Sequence, residues 1–430
     1  MLAKMGHRGL EGSRVKSIDG VTMGVCWPAG QLEAGDRLEE TGRAEDVVSD
    51  SHYAWAAPDG ETFTLSRDPL GVAPLYYGRN GEGQLCFASE VKGLVDAIEE
   101  ISELPPGSEM RSEQLSHHFR LTERDPLDAP RQEVAVELRK RLEAAVAERA
   151  GRGVPFGSWL SGGLDSSALA ALSCRHIRSL HTFAAGFEGA PDLEAARLVA
   201  RHIGAVHHEV IPTFREIVQV IPDVIRHLES FDALLVRSSL MNFLVAKLAA
   251  DYVPAVFSGE GGDELFAGYS YLKNLSLEEL SGELVDISNR LHNTALQRVD
   301  RCASAHGTVA YVAFLDQDVL EYAVSIPPEY KIVSGLEKWI LRQAVMDLLP
   351  YQIVQRKKAK FWEGAGVEER LSVFAEAQVT DADFDRERVL PDGSWLNTKE
   401  ELFYYRIFAD QVGQMEDLRW MGRTKGAPIQ

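Results

Sequence analysis

The stretch LSGGLDSS, residues 160–167, lies between an apolar run, VPFGSWL, and a helical pattern that starts at Ser166. Its paired glycines let successive backbone N–H groups turn toward one oxyanion, and the positive end of the following helix adds to them. The hydroxyls of Ser161, Ser166 and Ser167 supply donors without bulk. Unlike a Walker loop, the stretch carries no lysine beside its serines, so the charge that opposes a polyphosphate must come from elsewhere. Asp165 would repel phosphate unless it holds a magnesium ion, a hard cation that takes carboxylate and phosphate oxygens together. Read alone, the stretch is also compatible with a plain glycine turn at a helix start.

Its surroundings decide between these readings. After VPFGSWL come LHTFAAGF with a helix from Asp192, HHEVI with a helix near Thr213, and VPAVFS after a further helix. Such alternation predicts an α/β fold with a doubly wound parallel sheet, whose ligands sit at the carboxyl ends of the strands. FSGEGGDELFAGY, residues 257–269, also follows a predicted strand, so the two glycine-rich loops should share one crevice. There Asp263 is placed to be the second magnesium ligand, and Glu260 to orient an amine or take up a proton. A third stretch, QRKKAKFWEGAG, carries Arg356, Lys357, Lys358 and Lys360; one lysine over the reacting phosphate would stabilise charge that builds in the transition state. From about residue 272 to 414 the pattern is mostly helical, and the tail GRTKGAPIQ reads as loose.

The region before these motifs has another texture. YAWAAPDGETFTLSRD and PLYYGRNGEGQLCFAS alternate and break at Pro58-Asp59-Gly60 and Asn80-Gly81, which predicts antiparallel hairpins. LPPG and TERDPLDAPRQ mark a boundary, giving an N-terminal α+β unit over residues 1–112, a linker at 113–130, a nucleotide-binding unit at 131–415 and a tail at 416–430. The chain has 430 residues, 45% of them hydrophobic, and a net charge of −20. That charge argues against a nucleic-acid or anionic-membrane partner. Cys26, Cys86, Cys174 and Cys302 form no CxxC pair and read as buried thiols. No apolar run is expected to cross a bilayer and the opening MLAKMGHRGLEG lacks a secretion signal's apolar stretch, so the expected location is the cytoplasm.

Over residues 130–410 the chain resembles the glutamine-dependent asparagine synthetases and the related β-lactam synthetases. SGGLDSS, FAAGFEGAPDLEAARLVARHIGAVHHEV, FSGEGGDELFAGY, GLEKWILRQAV and KFWEGAG follow that family's order. The resemblance implies a sheet of the adenine nucleotide alpha hydrolase (PP-loop) type with added helices, preceded by an Ntn-hydrolase remnant. It implies ATP and Mg2+ as cofactors: Asp165 and Asp263 on magnesium pyrophosphate, and Ser161, Gly162, Gly163, Ser166 and Ser167 around the phosphates. Trp159, Ala185, Gly186, Ser258 and Gly259 are similar to the family's nucleotide contacts. Lys358, Glu260 and Asp263 take the implied catalytic positions. The implied reaction adenylates a small-molecule carboxylate, aspartate as first candidate, and then joins it to ammonia or an amine with release of AMP.

The N-terminal part departs from the family pattern. MGHRGLEG is similar to the family's HRGPDG, and AWAAPDGETFTLSRDPLGVAPLYY and FASEVKGL match well, but the cysteine nucleophile and the glutamine pocket are missing, which implies an inactive glutaminase remnant. Val309 and Tyr311 stand where the family has glutamate and arginine. Three alternatives remain beside the asparagine reading: a cyclase or peptide-modifying amide ligase, a non-catalytic ATP-binding relative, and a glutamine amidotransferase working alone. A homodimer, and a separate protein that supplies ammonia or carries substrate, are both open.

Overall fold

A computed structural model describes residues 1–28, 33–49, 51–60, 62–112, 114–151, 153–357 and 367–424. The strands before residue 118 are antiparallel. A hairpin of β1 (Gly12–Ile18) and β2 (Val21–Trp27) leads through helix α1 (Glu33–Thr41) to β3 (Ala44–Ser49), β4 (His52–Asp59) and β5 (Thr62–Arg67). Then β6 (Tyr76–Asn80), β7 (Leu85–Ala88) and β8 (Ile98–Glu103) form a sheet in the order β7-β6-β8. β9 (Ser108–Arg111) and β10 (Gln114–His117) complete the sheet β10-β9-β5-β4-β3. The alternation in β4 turns His52, Ala54 and Ala56 inward, as a period of two requires. The turn after β5 is built by its own charges: Asp68 accepts from the backbone N–H of Leu70, Val72 and Ala73, while buried Arg67 donates to the carbonyls of Gly71, Ala73 and Leu104.

After α2 (Arg131–Ala150) the chain builds the parallel sheet. Its elements are β11 (Phe156–Trp159), α3 (Leu164–Ser173), β12 (His181–Ala185), α4 (Pro191–Ile203), β13 (Val206–Val210), α5 (Phe214–Leu228), α6 (Ala233–Ala250), β14 (Ala255–Phe257), α7 (Gly262–Leu265), α8 (Leu277–Asn289), α9 (Ala295–Ser304) and β15 (Val309–Tyr311). The strand order is β13-β12-β11-β14-β15, with every pair parallel. From β11 the chain winds first one way and then the other, which opens the crevice between the carboxyl ends of β11 and β14. Helices α10 (Gln317–Ser325), α11 (Pro328–Lys331) and α12 (Trp339–Ala344) follow.

Two expectations need correction. The fifth strand, β15, lies inside the span expected to be mostly helical; three residues long and fully apolar in pattern, it carries no alternation by which to recognise it. Helix α6 is, by length and composition, apolar enough to cross a membrane, with a mean hydropathy of 1.4 over 18 residues. More than half of that span is buried in the fold, where α6 packs on α5, α9, β12 and β13.

Charged side chains join the antiparallel sheets to the parallel one. Arg301 of α9 reaches Glu90 at 3.3 Å and Glu229 at 3.2 Å, with both carboxylates fully buried. Glu229, at the end of α5 with φ +56°, also accepts from the backbone N–H of Val91 and Lys92. Arg8 ties Asp300 and Glu90 from the other side at 2.8 and 3.0 Å. Next to these pairs is a cavity of about 970 Å³, walled by Met23, Val25 and Phe63 on one side and by Phe156, Ala255 and Val309 on the other. Arg301→Met is expected to lower the free energy of unfolding in urea by about 1.5–3 kcal/mol, because it removes one cation from two buried carboxylates while Glu90 keeps Arg8 and Lys92, and Glu229 keeps Lys92 and the N–H groups of Val91 and Lys92. Arg386→Met, at an exposed pair, should change it by less than about 1 kcal/mol.

Candidate functional site

The site lies at the carboxyl ends of β11 and β14. Past Trp159 the chain turns through residues 160–163 into α3, with Leu160 N–H donating to Phe183 O at 2.7 Å. Gly162 has φ +72°, and a Cβ there would meet Ala195 Cβ and Ala196 N of α4 at 2.6 Å, so only glycine fits. Ser161 and Ser166 bind each other at 3.0 Å through their hydroxyls, and Ser161 Oγ accepts from Gly163 N–H at 3.3 Å. Arg356 clamps the loop from outside, donating to Gly162 O at 3.0 Å and pairing with Asp192 of α4 at 2.5 Å.

The second loop leaves β14 at Ser258, whose N–H donates to Tyr311 O at 2.8 Å. It then runs against the first loop. A Cβ on Gly259 would lie 3.0 Å from Ser166 N, and one on Gly262 2.5 Å from Asp165 Cγ. Asp165 and Asp263 thereby converge on one cation, the ammonium of Lys338, which binds Asp165 and lies 2.5 Å from Asp263. Burial by itself would lower the pKa of this amine; the two carboxylates outweigh it and hold the ammonium charged well above the ordinary lysine range. Lys338 has φ +54° and its N–H donates to Phe266 O at 3.1 Å; Ala267 beside it has φ +58°. Two non-glycine residues in the left-handed region next to one acid pair mark a backbone held in place by its surroundings.

Glu260 faces away from this pair, toward Arg298 of α9 at 2.7 Å; Arg298 in turn donates to Ser238 of α6 at 3.0 Å. Glu264 is buried and accepts from the hydroxyl of Tyr269. Burial, with Asp263 and Glu260 close by, pushes its carboxyl up to about 7. Ala185 ends β12, and Gly186 N–H donates to Val210 O at 3.2 Å beside the same crevice. The indole N–H of Trp159 and the hydroxyl of Ser167 are buried and without hydrogen-bond partners among the described residues.

The structure thus brings Ser161, Gly162, Gly163, Asp165, Ser166, Ser258, Gly259 and Asp263 into contact at one place, and Trp159, Ser167, Ala185 and Gly186 sit on the strand ends and first helical turn that frame it. Lys357 is exposed, and Lys358 lies outside the described residues. Two residues that hold the site together were not singled out in the sequence, Lys338 and Arg298. Lys338 stands in GLEKWILRQAV directly ahead of a buried helix that carries Arg342, and that position was its only signal. Tyr311 packs beside the stacked rings of Phe156 and Phe257, with centroids 5.1 and 6.3 Å from its own, on a wall of the large cavity. The substituted position therefore fills core. The donor set fits magnesium and a polyphosphate: two carboxylates from separate loops already share one positive charge, and backbone N–H groups and hydroxyls surround them.

Folded, Glu264 keeps its proton up to about pH 7, whereas an exposed carboxyl loses it near 4.5. Folding therefore takes up a proton between these values, and stability falls as the pH rises through that window. Urea midpoints measured across it are expected to show this slope in the natural chain and a flatter one in Glu264→Gln.

Residues 137–289 and 278–424 match the asparagine synthase family model, and residues 42–126 match the glutamine amidotransferase domain. The glutamine-hydrolysing asparagine synthetase of Asparagus officinalis is 38% identical over 388 residues, 83% of this chain and 65% of its own length. That of Sandersonia aurantiaca is 35% identical over 90% of this chain and 78% of its own. Asparagine synthetase B of Escherichia coli strain K12 is 36% identical over 83% and 69%. The chain spans 65–78% of the length of these relatives. Among solved structures, an NMN synthetase from Francisella tularensis aligns over 69% of this chain at 13% identity and a TM-score of 0.30, too slight a likeness to place any residue. By its family match over well over half its length, the chain belongs to the asparagine synthase family, whose synthetases are carbon–nitrogen ligases that convert ATP to AMP and pyrophosphate.

Proposed function

We propose that the chain is an ATP-dependent, AMP-forming amide ligase whose first candidate substrate is aspartate. The observation that carries this reading is the convergence of Asp165, Asp263 and Lys338 against the loop at residues 160–167. A carboxylate oxygen of the substrate attacks the α-phosphorus of ATP, the bond to the β-phosphate oxygen breaks, and pyrophosphate leaves. The nitrogen of ammonia then attacks the acyl carbon, AMP departs with the acyl oxygen's electron pair, and the nitrogen gives up a proton. Magnesium, held by Asp165 and Asp263, would offset the charge of the departing pyrophosphate.

The chain's own residues have separate tasks in this scheme. The N–H groups and hydroxyls of residues 161–167 grip the phosphates, and Arg356 keeps that loop against α4. Lys338 supplies the positive charge that the loop lacks. Lys358, carried over from the family likeness, would act on the α-phosphate and the acyl carbon. Glu260, held by Arg298, would face the acyl group or the incoming amine. No feature of the described residues favours the cyclase reading over ammonia as acceptor.

Pyrophosphate release from ATP should require aspartate or another carboxylate and, with ammonium present, should yield AMP in equal amount. Lys338→Met and Asp263→Asn are each expected to slow it by about 100-fold or more, with the far-ultraviolet circular dichroism unchanged. ATP binding with no release for any carboxylate and ammonium, in a folded protein, would instead identify a nucleotide-binding relative.

A further inference from the structure

Lys331 is a buried lysine among the described residues whose surroundings the proposed reaction leaves unexplained. It ends α11 and is only 4% exposed, yet among the described residues no carboxylate pairs with it. Burial alone acts on its amine and pushes the pKa down to about 7. The side chain lines a cavity of about 20 Å³ between α7, α8, α10 and the segment before α2. That is room for one water-sized occupant. Leu265, Leu284, Val285 and Val324 form its apolar walls, and Ser281 and Ser288 its hydroxyl edge.

The one buried charge among the lining residues is positive, that of Lys331. Glu123 and Arg124 stand at its mouth, both exposed, and Arg124 pairs with Glu321 of α10 at 3.2 Å. The lining residues of α7, α8 and α10 are uncharged, and α11 itself adds only Glu329, on its first turn. The hydroxyl of Ser288 is committed to Leu284 O at 2.7 Å and Arg124 to Glu321, which leaves Lys331 and Ser281 as the lining residues with donors to offer. A buried ammonium either sheds its proton or acquires a counter-charge, and here the counter-charge has a place to sit.

We propose that this cavity binds a monovalent anion of single-atom size, a halide, as the counterion of Lys331. The bound anion ties α8, α10 and α11 to Leu265, two residues after Asp263, and so braces the wall behind the acid pair. The proposal does not depend on the reaction assigned above.

The test compares thermal unfolding of the full chain in about 100 mM sodium bromide and in sodium gluconate of equal ionic strength, gluconate being too large to enter. Bromide is expected to raise Tm by about 2–4 °C near neutral pH, and Lys331→Met to remove the difference. Because a substitution at a buried site can itself perturb folding, crystals of the natural chain grown in bromide give a second reading, an anomalous peak beside Lys331 Nζ. Equal Tm values in the two salts, a bromide effect that survives in Lys331→Met, or a cavity without anomalous signal would each overturn the proposal.

Discussion

Two carboxylates that share one buried cation set the terms for the rest of the catalytic end of the molecule. Asp165 starts α3 and Asp263 starts α7, and each comes from a different strand of the parallel sheet. Brought together alone they would repel each other, and one would keep its proton. The ammonium of Lys338 removes that conflict. The glycines then follow as necessities: Gly262 cannot gain a Cβ without striking Asp165, and one on Gly268 would run into Asp263 and Lys338. The loops are closely packed because the acids must meet, and glycine is the residue that permits the approach.

Much of this was legible in the sequence, for identifiable reasons. Strand, glycine turn and helix succeed one another at short range around residues 156–173 and 255–265, so local pattern alone placed both loops at strand ends. Thr213 and Glu216 form a capping box at the predicted start of α5. Lys338 was not legible, because its partners are 173 and 75 residues away in sequence and nothing in its neighbourhood announces them. Its left-handed backbone is likewise imposed by tertiary contacts, since lysine has no local preference for it. Arg298 was missed for the same reason: it reads as one polar position on an amphipathic helix until Glu260 is seen across from it. β15 was missed because three apolar residues suit a helix as well as a strand.

The buried charges elsewhere follow one rule at two places. Arg67 and Asp68 lie inside the antiparallel region: Asp68 is satisfied by backbone N–H groups of its own turn, and Arg67 by the turn carbonyls of Gly71 and Ala73 together with Leu104 O and the carboxylate of Glu103. Arg301, Glu90 and Glu229 lie between the two sheet systems and are satisfied by one another, by Arg8 and Lys92, and by backbone N–H groups across the junction. The first arrangement shapes a loop. The second fixes the orientation of one sheet system on the other, since charge pairs tolerate sliding far less than apolar contact does.

That junction also contains the cavity of about 970 Å³. Protein interiors resist compression because they are close-packed, and unfilled volume is where they yield. Exposed Met1 and Val15 line its rim, so water already reaches it, and hydrostatic pressure should act first at this seam by hydrating the ion pairs around it while both sheets keep their hydrogen bonds. Tyr311, on a wall of this cavity, accepts from the Ser258 N–H through its carbonyl, so a change at the seam would reach the second phosphate loop directly.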